Sequence, residues 1–102
     1  MPRRYFFVRI VSSPSLSSEQ LGRVLTDSVR RYFGEFGLSR IDPRLIRFDS
    51  QRCEAIIACR RGEANDLQAA LALLSSDSEA RIAPIVLRIS GTIKGLKRKK
   101  RR

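Results

Sequence analysis

The chain has 102 residues and a formal charge of +11, from 21 lysines and arginines against 10 aspartates and glutamates. This length fits one domain with a single modest core, and 42% hydrophobic residues argue against disorder throughout. The sequence has no histidine, which excludes catalysis or metal binding through imidazole. It shows neither an apolar run of membrane length nor a signal-peptide cleavage site. Because the chain is strongly basic and has no histidine, we expect a binder of polyanions rather than a self-sufficient enzyme.

The first half of the chain predicts a strand and a helix. Residues 4–11 are apolar on both faces, which is typical of a central strand. Ser17 and Gln20 fit a capping box at the start of a helix. Gly34 or Gly37 is expected to end that helix as a left-handed cap. Apolar residues at spacings of three and four predict its buried face: Leu21, Val24, Leu25, Val29, Tyr32, Phe33 and Phe36.

The second half predicts a hairpin, a helix and a last strand. Residues 45–48 and 53–60 form the hairpin, and 63–74 form an alanine- and leucine-rich helix. Residues 81–90 form the last strand, and Pro84 should place it at a sheet edge because proline cannot donate to a ladder.

This order of elements predicts an α+β fold, a ferredoxin-like or RRM-like β-α-β-β-α-β sandwich. The sheet would be antiparallel and four-stranded, with two helices on one face and with the first and third strands at its centre. We expect residues 1–93 to form the domain and 94–102 a basic RNA-binding tail.

The tail concentrates the positive charge. The other fourteen basic residues, all arginine, against ten carboxylates leave +4 for residues 1–93. A block of like charges is expected to be unstructured alone and to add little to burial. Contact with nucleic-acid phosphates is favoured over a solvated run or a nuclear localisation signal, and over a membrane surface. Seven of the nine tail residues are basic: Lys94, Lys97, Arg98, Lys99, Lys100, Arg101 and Arg102.

Base stacking on the sheet is only weakly supported. Tyr5 and Phe7 could stack bases, but the third strand has no aromatic residue, so a core or partner-facing role is favoured. An exposed apolar sheet face more often marks a protein partner. Arg9 and Arg88 are lone charges in apolar strands, and extension of their side chains to the surface is favoured over RNA contact.

The residues that could carry catalysis are scattered. Cys53 and Cys59 lie too far apart along one strand for a disulfide, and two thiols alone do not form a zinc site. The carboxylates form no D-x-D or E-x-x-E set that would hold a metal pair. We therefore assign neither catalytic residues nor a metal site.

Six segments, spread over nearly the whole chain, are informative together: RYFFVRIVS at 4–12, YFGEFG at 32–37, LIRFD at 45–49, AIIACRR at 55–61, LQAALALL at 67–74 and ISGTIKGLKRK at 89–99. The most specific part is SGTIK at 90–94, which lies between a hydrophobic strand and a basic segment. In this order the segments resemble a known family, the Pop-five type protein subunit of archaeal ribonuclease P.

The resemblance implies a role in tRNA processing. Members bind the catalytic ribonuclease P RNA and pair with a TIM-barrel-like subunit among the other protein subunits of the particle. A homodimer of this chain within a heterotetramer is one arrangement. The ribonucleoprotein is an endonuclease, a hydrolase that removes the 5′ leader of precursor tRNA. Its chemistry is carried by the RNA with bound magnesium. This chain itself would therefore bind no cofactor and would not be catalytic alone. We expect the chain to be cytoplasmic.

The expected RNA contacts extend beyond the tail. Arg60 and Arg61 would neutralise phosphates, although a plain strand end explains them equally well. Gly91 allows close approach of the backbone to phosphate, and the Thr92 hydroxyl or nearby amides can donate to it. Apolar helix or sheet surface would dock the partner subunit. Two alternatives stay open: a ribosome-associated or general RNA-binding protein, and an assembly adaptor that does not contact RNA.

Overall fold

The computed structural model describes residues 2–12, 16–76 and 81–98, apart from the side chains of residues 97 and 98. The order of the predicted strands and helices is confirmed, and a third helix follows the last strand. The elements are β1 (Arg3–Ser12), α1 (Ser18–Ile41), β2 (Arg44–Asp49), β3 (Glu54–Arg60), a 3-10 turn (Arg61–Glu63), α2 (Ala64–Ser76), β4 (Ile82–Ser90) and α3 (Ile93–Arg98).

The four strands form one antiparallel sheet in the order β2-β3-β1-β4, which confirms the predicted topology. β1 and β3 lie at the centre, as their doubly apolar sequences indicate. β4 lies at the edge, where the missing N–H of Pro84 interrupts no inner ladder. The Ser75 hydroxyl at the end of α2 donates to the Pro84 carbonyl at 3.1 Å and covers part of this edge.

Helices α1 and α2 pack on one face of the sheet and form the hydrophobic core with it. On α2 the predicted face is buried, with Leu67 fully enclosed. Burial of a large apolar side chain contributes about 1.5–3 kcal/mol, so this layer is the main source of hydrophobic stabilisation. The strands contribute alternate residues to the same core: Phe6, Val8, Ile10, Ala55, Ile57, Cys59 and Ile82.

Helix α1 begins as predicted but ends later. The Ser17 hydroxyl accepts from the Gln20 N–H at 3.1 Å, and the Gln20 side chain accepts from the Ser17 N–H at 2.9 Å. The expectation that Gly34 or Gly37 ends the helix is wrong. Gly34 leaves helical geometry at φ 74° and ψ −177°, but the following residues are helical again. The helix ends at Ile41 and is capped by Asp42, whose backbone is left-handed. That residue's N–H donates to the Leu38 carbonyl at 2.8 Å.

The break at Gly34 changes which residues of α1 face the core. Leu21, Leu25 and Val29 before it are buried, whereas Phe36 after it is 93% exposed. The prediction that Tyr32 and Phe36 lie on the buried face is therefore wrong. Tyr32, before the break, is 38% exposed, and for Phe36 the helical spacing does not continue through a non-helical residue.

The opposite face of the sheet carries α3. Leu96 is only 2% exposed and lies with Phe7 and Ile56, which pair across β1 and β3. The Arg88 guanidinium on the same face donates to the Leu96 carbonyl at 3.3 Å. The expectation that the tail adds little to burial is thus wrong at Leu96, since its side chain covers apolar sheet surface. The predicted tail residues from Lys99 onward lie outside the described residues.

Candidate nucleic-acid interface

Strand pairing gathers arginines at one end of the sheet. Arg3 pairs with Arg60, and Tyr5 pairs with Ser90, so the start of β1 meets the ends of β3 and β4. The Arg61 N–H donates to the Pro2 carbonyl at 3.2 Å, which fixes the 3-10 turn beside β1. We call this surface the basic end; its arginines are Arg3, Arg4, Arg60 and Arg61.

The predicted root of the tail lies at the same end. A Cβ on Gly91 would lie 3.4 Å from a guanidinium nitrogen of Arg4, so the Gly91 backbone runs beside that side chain. The structure therefore brings together Arg60, Arg61 and Gly91, which the sequence analysis singled out separately. Arg4 was not assigned from sequence alone; only the antiparallel pairing of β1 could have indicated it.

One carboxylate orders part of the basic end. Asp42 accepts from the Arg3 guanidinium at 2.5 Å, and Arg3 also donates to the Asp42 carbonyl at 3.1 Å. Arg44 approaches the same carboxylate at 3.4 Å. The hydrogen bond from Arg3, with a smaller contribution from Arg44, holds the pKa of Asp42 below its ordinary value. The single carboxylate of Asp42 thus positions Arg3 and Arg44, and together the three side chains keep a net positive charge.

Thr92 shapes the start of α3. Its Oγ1 accepts from the Gly95 N–H at 2.9 Å, and its own N–H donates to the Ser90 hydroxyl at 3.2 Å. A Cβ on Gly95 would collide with the Ser90 side chain, so this turn needs glycine there. The Thr92 hydroxyl hydrogen remains able to donate, and the exposed Lys94 follows two residues later. The segment offers donors and cations on a fixed backbone.

The two strand arginines in question differ in their surroundings. Arg9 is exposed, in agreement with a side chain that extends to solvent. Arg88 is half-buried and donates to the Leu96 carbonyl, so its role includes holding α3 on the sheet. The expectation of simple extension to the surface is therefore wrong for Arg88.

The remaining polar chemistry serves structure. Within residues 2–12, 16–76 and 81–98, no three potential metal ligands lie together. Burial raises the pKa of the Cys59 thiol to about 11, which makes it a poor nucleophile. Asp66 and Glu63 both accept from Arg40, and these hydrogen bonds, first the one to Asp66, raise the pKa of Arg40. Over the described part of the chain, no helix is long and apolar enough to cross a membrane.

Comparisons with known proteins converge on one family. A sequence model of the Rpp14/Pop5 family matches residues 4–100. Ribonuclease P protein component 2 of Archaeoglobus fulgidus is 35% identical over 98 residues, covering 95% of this chain and 86% of that protein. Its counterpart in Pyrococcus furiosus is 32% identical over 97 residues, covering 95% and 81%. A chain in the cryo-EM structure of yeast ribonuclease MRP has the same fold, with a TM-score of 0.71 at 14% identity, covering 97% of this chain and 91% of that one.

Proposed function

This chain belongs to the Rpp14/Pop5 family, and we propose that it is a protein component of ribonuclease P that binds the catalytic RNA. In that role it supports removal of the 5′ leader from precursor tRNA. The observation that carries the proposal is similarity over nearly the whole chain to archaeal proteins named ribonuclease P protein component 2. The cluster of arginines at the basic end agrees with it, because RNA binding depends on cations that neutralise phosphates.

The protein contributes charge and shape rather than bond cleavage. The RNA with its bound magnesium carries out hydrolysis, and the protein lowers the repulsion between RNA strands that must pack closely. At the basic end, Arg60 and Arg61 contact phosphates, while Gly91 and Thr92 allow close approach and hydrogen bonding. The cations of residues 94–102 extend this surface. Such contacts position RNA without reading its bases.

The protein partners include the TIM-barrel-like subunit of the particle. Two exposed apolar surfaces support protein docking: Tyr32 and Phe36 on α1, and Ile85 and Leu87 on β4. A homodimer of this chain within a heterotetramer would use one of them and leave the other for the companion subunit. We further propose a cytoplasmic particle in which magnesium is bound by the RNA alone.

Reconstitution of the particle tests the proposal. Ribonuclease P RNA and the companion subunits are mixed with or without this chain, and precursor tRNA cleavage is measured at limiting magnesium. We expect the rate to fall when the chain is omitted. Cleavage that is equally fast without it would contradict the proposal and leave a general RNA-binding protein or an adaptor as the alternative.

A pair of charge-matched variants locates the effect. Arg60→Gln/Arg61→Gln removes two charges from the basic end, whereas Arg23→Gln/Arg31→Gln removes two exposed charges from α1. We expect the first variant to need more magnesium for the same rate, since cations that the protein no longer supplies must come from solution. The second should behave like the unchanged protein. Equal behaviour of both variants would remove the basic end from the RNA-binding surface.

A further inference from the structure

Two neighbouring arginines at the start of β1 have different surroundings. The Arg3 guanidinium donates to the Asp42 carboxylate at 2.5 Å and to the Asp42 carbonyl at 3.1 Å, and 17% of the Arg3 side chain is exposed. Arg4 is also half-buried, but no carboxylate among residues 2–12, 16–76 and 81–98 forms an ion pair with it. The one carboxylate beside this pair of arginines is therefore bound by Arg3 and leaves Arg4 without a counterion.

A second arginine without a carboxylate partner lies near Arg4. The hydrogen bond from the Arg61 N–H to the Pro2 carbonyl extends the β1–β3 ladder by one residue. Because Arg4 pairs with Cys59 in the same register, Arg61 is its diagonal neighbour, at a distance of roughly 7–8 Å that long side chains can span. Arg61 is exposed, and within the described part of the chain it has no ion pair either. Two guanidinium groups can thus reach one anion.

Gly91 leaves the space in which the Arg4 guanidinium lies. A Cβ at position 91 would be 3.4 Å from a guanidinium nitrogen of Arg4, so any longer side chain would take that space. The backbone φ of Gly91 is not positive, which means that its conformation is open to other residues. The missing side chain, rather than the backbone conformation, is therefore what glycine contributes here.

The arrangement of these arginines is unfavourable without an anion. Arg3 and Arg60 lie directly opposite each other on β1 and β3, and like charges in that position repel. Arg4 and Arg61 add two positive charges beside them. The basic segment 94–102 begins close to the same end of the sheet, so the positive charge continues along the chain from this point. A row of phosphates matches this distribution better than a single carboxylate of a partner protein.

We propose that Arg4 is an RNA-binding residue, which together with Arg61 holds one phosphate of the RNA backbone. Gly91 leaves room for its guanidinium, whereas Arg3 is a structural residue bound to Asp42. Guanidinium groups donate several N–H groups to phosphate oxygens, and these hydrogen bonds are strong because both partners are charged. The inference rests on the proposed function, which supplies RNA as the ligand class.

Binding of ribonuclease P RNA to the full chain tests this division of roles. Arg4→Gln should weaken binding about tenfold, and it should lower the slope of log K against log salt by about 0.7–0.9, the value for one lost phosphate contact. Arg9→Gln is the matched control, since Arg9 is exposed on the same strand at its other end, and it should change affinity less than about twofold. Arg3→Gln should likewise keep the slope. If either variant loses as much affinity as Arg4→Gln, the proposal is overturned.

Thermal unfolding separates RNA binding from a structural role. Removal of an unpaired charge from a cluster of like charges relieves repulsion, so Arg4→Gln should leave the Tm of the free protein unchanged or raise it. Arg3→Gln should lower Tm, because Asp42 loses its partner. A clear fall in Tm for Arg4→Gln would mean that Arg4 holds the fold, and the proposal would be wrong.

Arg4→Lys tests the chemistry of the contact. Lysine keeps the positive charge but not the planar guanidinium, so this variant should restore the salt slope without the full affinity. A slope as low as that of Arg4→Gln would contradict a contact between this side chain and phosphate.

A double-mutant cycle tests the role of Gly91. Gly91→Val should weaken RNA binding of the otherwise unchanged protein, because the valine side chain takes the space of the Arg4 guanidinium. In the Arg4→Gln background the same substitution should have no further effect. If the two losses add instead, Gly91 acts independently of Arg4, and the proposed link between them is refuted.

Reconstitution of the particle distinguishes failure of this inference from failure of the proposed function. Particles with Arg4→Gln should need more magnesium than particles with Arg9→Gln for the same rate of precursor cleavage. If cleavage depends on the chain but the two variants behave alike, the inference is wrong and the proposed function stands. If Arg4→Gln weakens binding of a companion subunit and not of the RNA, the anion belongs to a protein and the inference is also wrong.

Discussion

Leu96→Ala tests whether α3 is part of the folded domain. The side chain is 2% exposed, and it lines one cleft on the open face of the sheet together with Phe7 and Ile56. Loss of a fully buried leucine costs 2–5 kcal/mol, depending on how far the surroundings can collapse. α3 has six residues and lies at the surface, so it can settle or detach. We therefore expect a loss near the lower limit, about 2 kcal/mol.

Thermal unfolding followed by circular dichroism measures this loss. For a domain of this size, about 2 kcal/mol corresponds to a decrease of roughly 8–16 °C in Tm. Leu73→Ala is the matched control, because Leu73 lies on α2 at 40% exposure. That control should change stability by less than about 0.5 kcal/mol. If both variants lose equally little, Leu96 does not anchor α3 and the reasoning fails.

Two further substitutions test backbone and charge. Asp42→Asn should cost about 1 kcal/mol near pH 7 by removing the ion pair with Arg3, while asparagine still accepts the left-handed φ of 50°. Because Arg3 lowers the pKa of Asp42 in the folded state, this stabilisation is present above the ordinary value of 3.8 and is lost as pH falls through the folded pKa. Urea midpoints should therefore converge below about pH 4, and a constant gap would contradict the pairing. Gly34→Ala should cost about 1–3 kcal/mol from backbone strain alone, because its φ is positive and no atom lies near the position of an added Cβ. Gly62→Ala is the control, since Gly62 is equally open but has no positive φ. Equal Tm values for the two variants would refute the strain.

The main elements could be predicted because their signals are local. Alternation of apolar residues indicates a strand, and the Ser17 capping box marks the start of a helix. Pro84 places its strand at the edge of the sheet. These local signals also agree with one and the same topology, which leaves few other strand orders to consider. The sheet order therefore followed from the sequence alone.

The parts that could not be predicted depend on distant contacts. Gly34 breaks the helix as its residue type suggests, but the restart to Ile41 depends on packing of that segment against the core, where Ile41 is fully buried. Leu96 has only Ile93 at helical spacing before it and basic residues after it, which is too little periodicity to mark it as buried. The basic end could be predicted in part. Arg60 and Arg61 are recognisable from sequence, whereas the position of Arg4 beside them follows only from the pairing of β1 with β3.

The tail's effect on RNA binding follows from the way α3 is held. A helix of six residues is not stable alone, so its place on the sheet depends on the Thr92 cap, the Arg88 hydrogen bond and Leu96. Deleting residues 97–102 removes six cations and leaves those anchors in place.

We therefore expect that deletion to leave Tm nearly unchanged while lowering the slope of log K against log salt by about 3–5, at 0.7–0.9 per lost phosphate contact. The loss should be similar for cognate and unrelated structured RNAs, because phosphate contacts carry no base information. Salt titrations of both proteins on both RNAs measure it. An unchanged slope would mean that the arginines of the folded domain, first those at the basic end, supply the electrostatic binding instead.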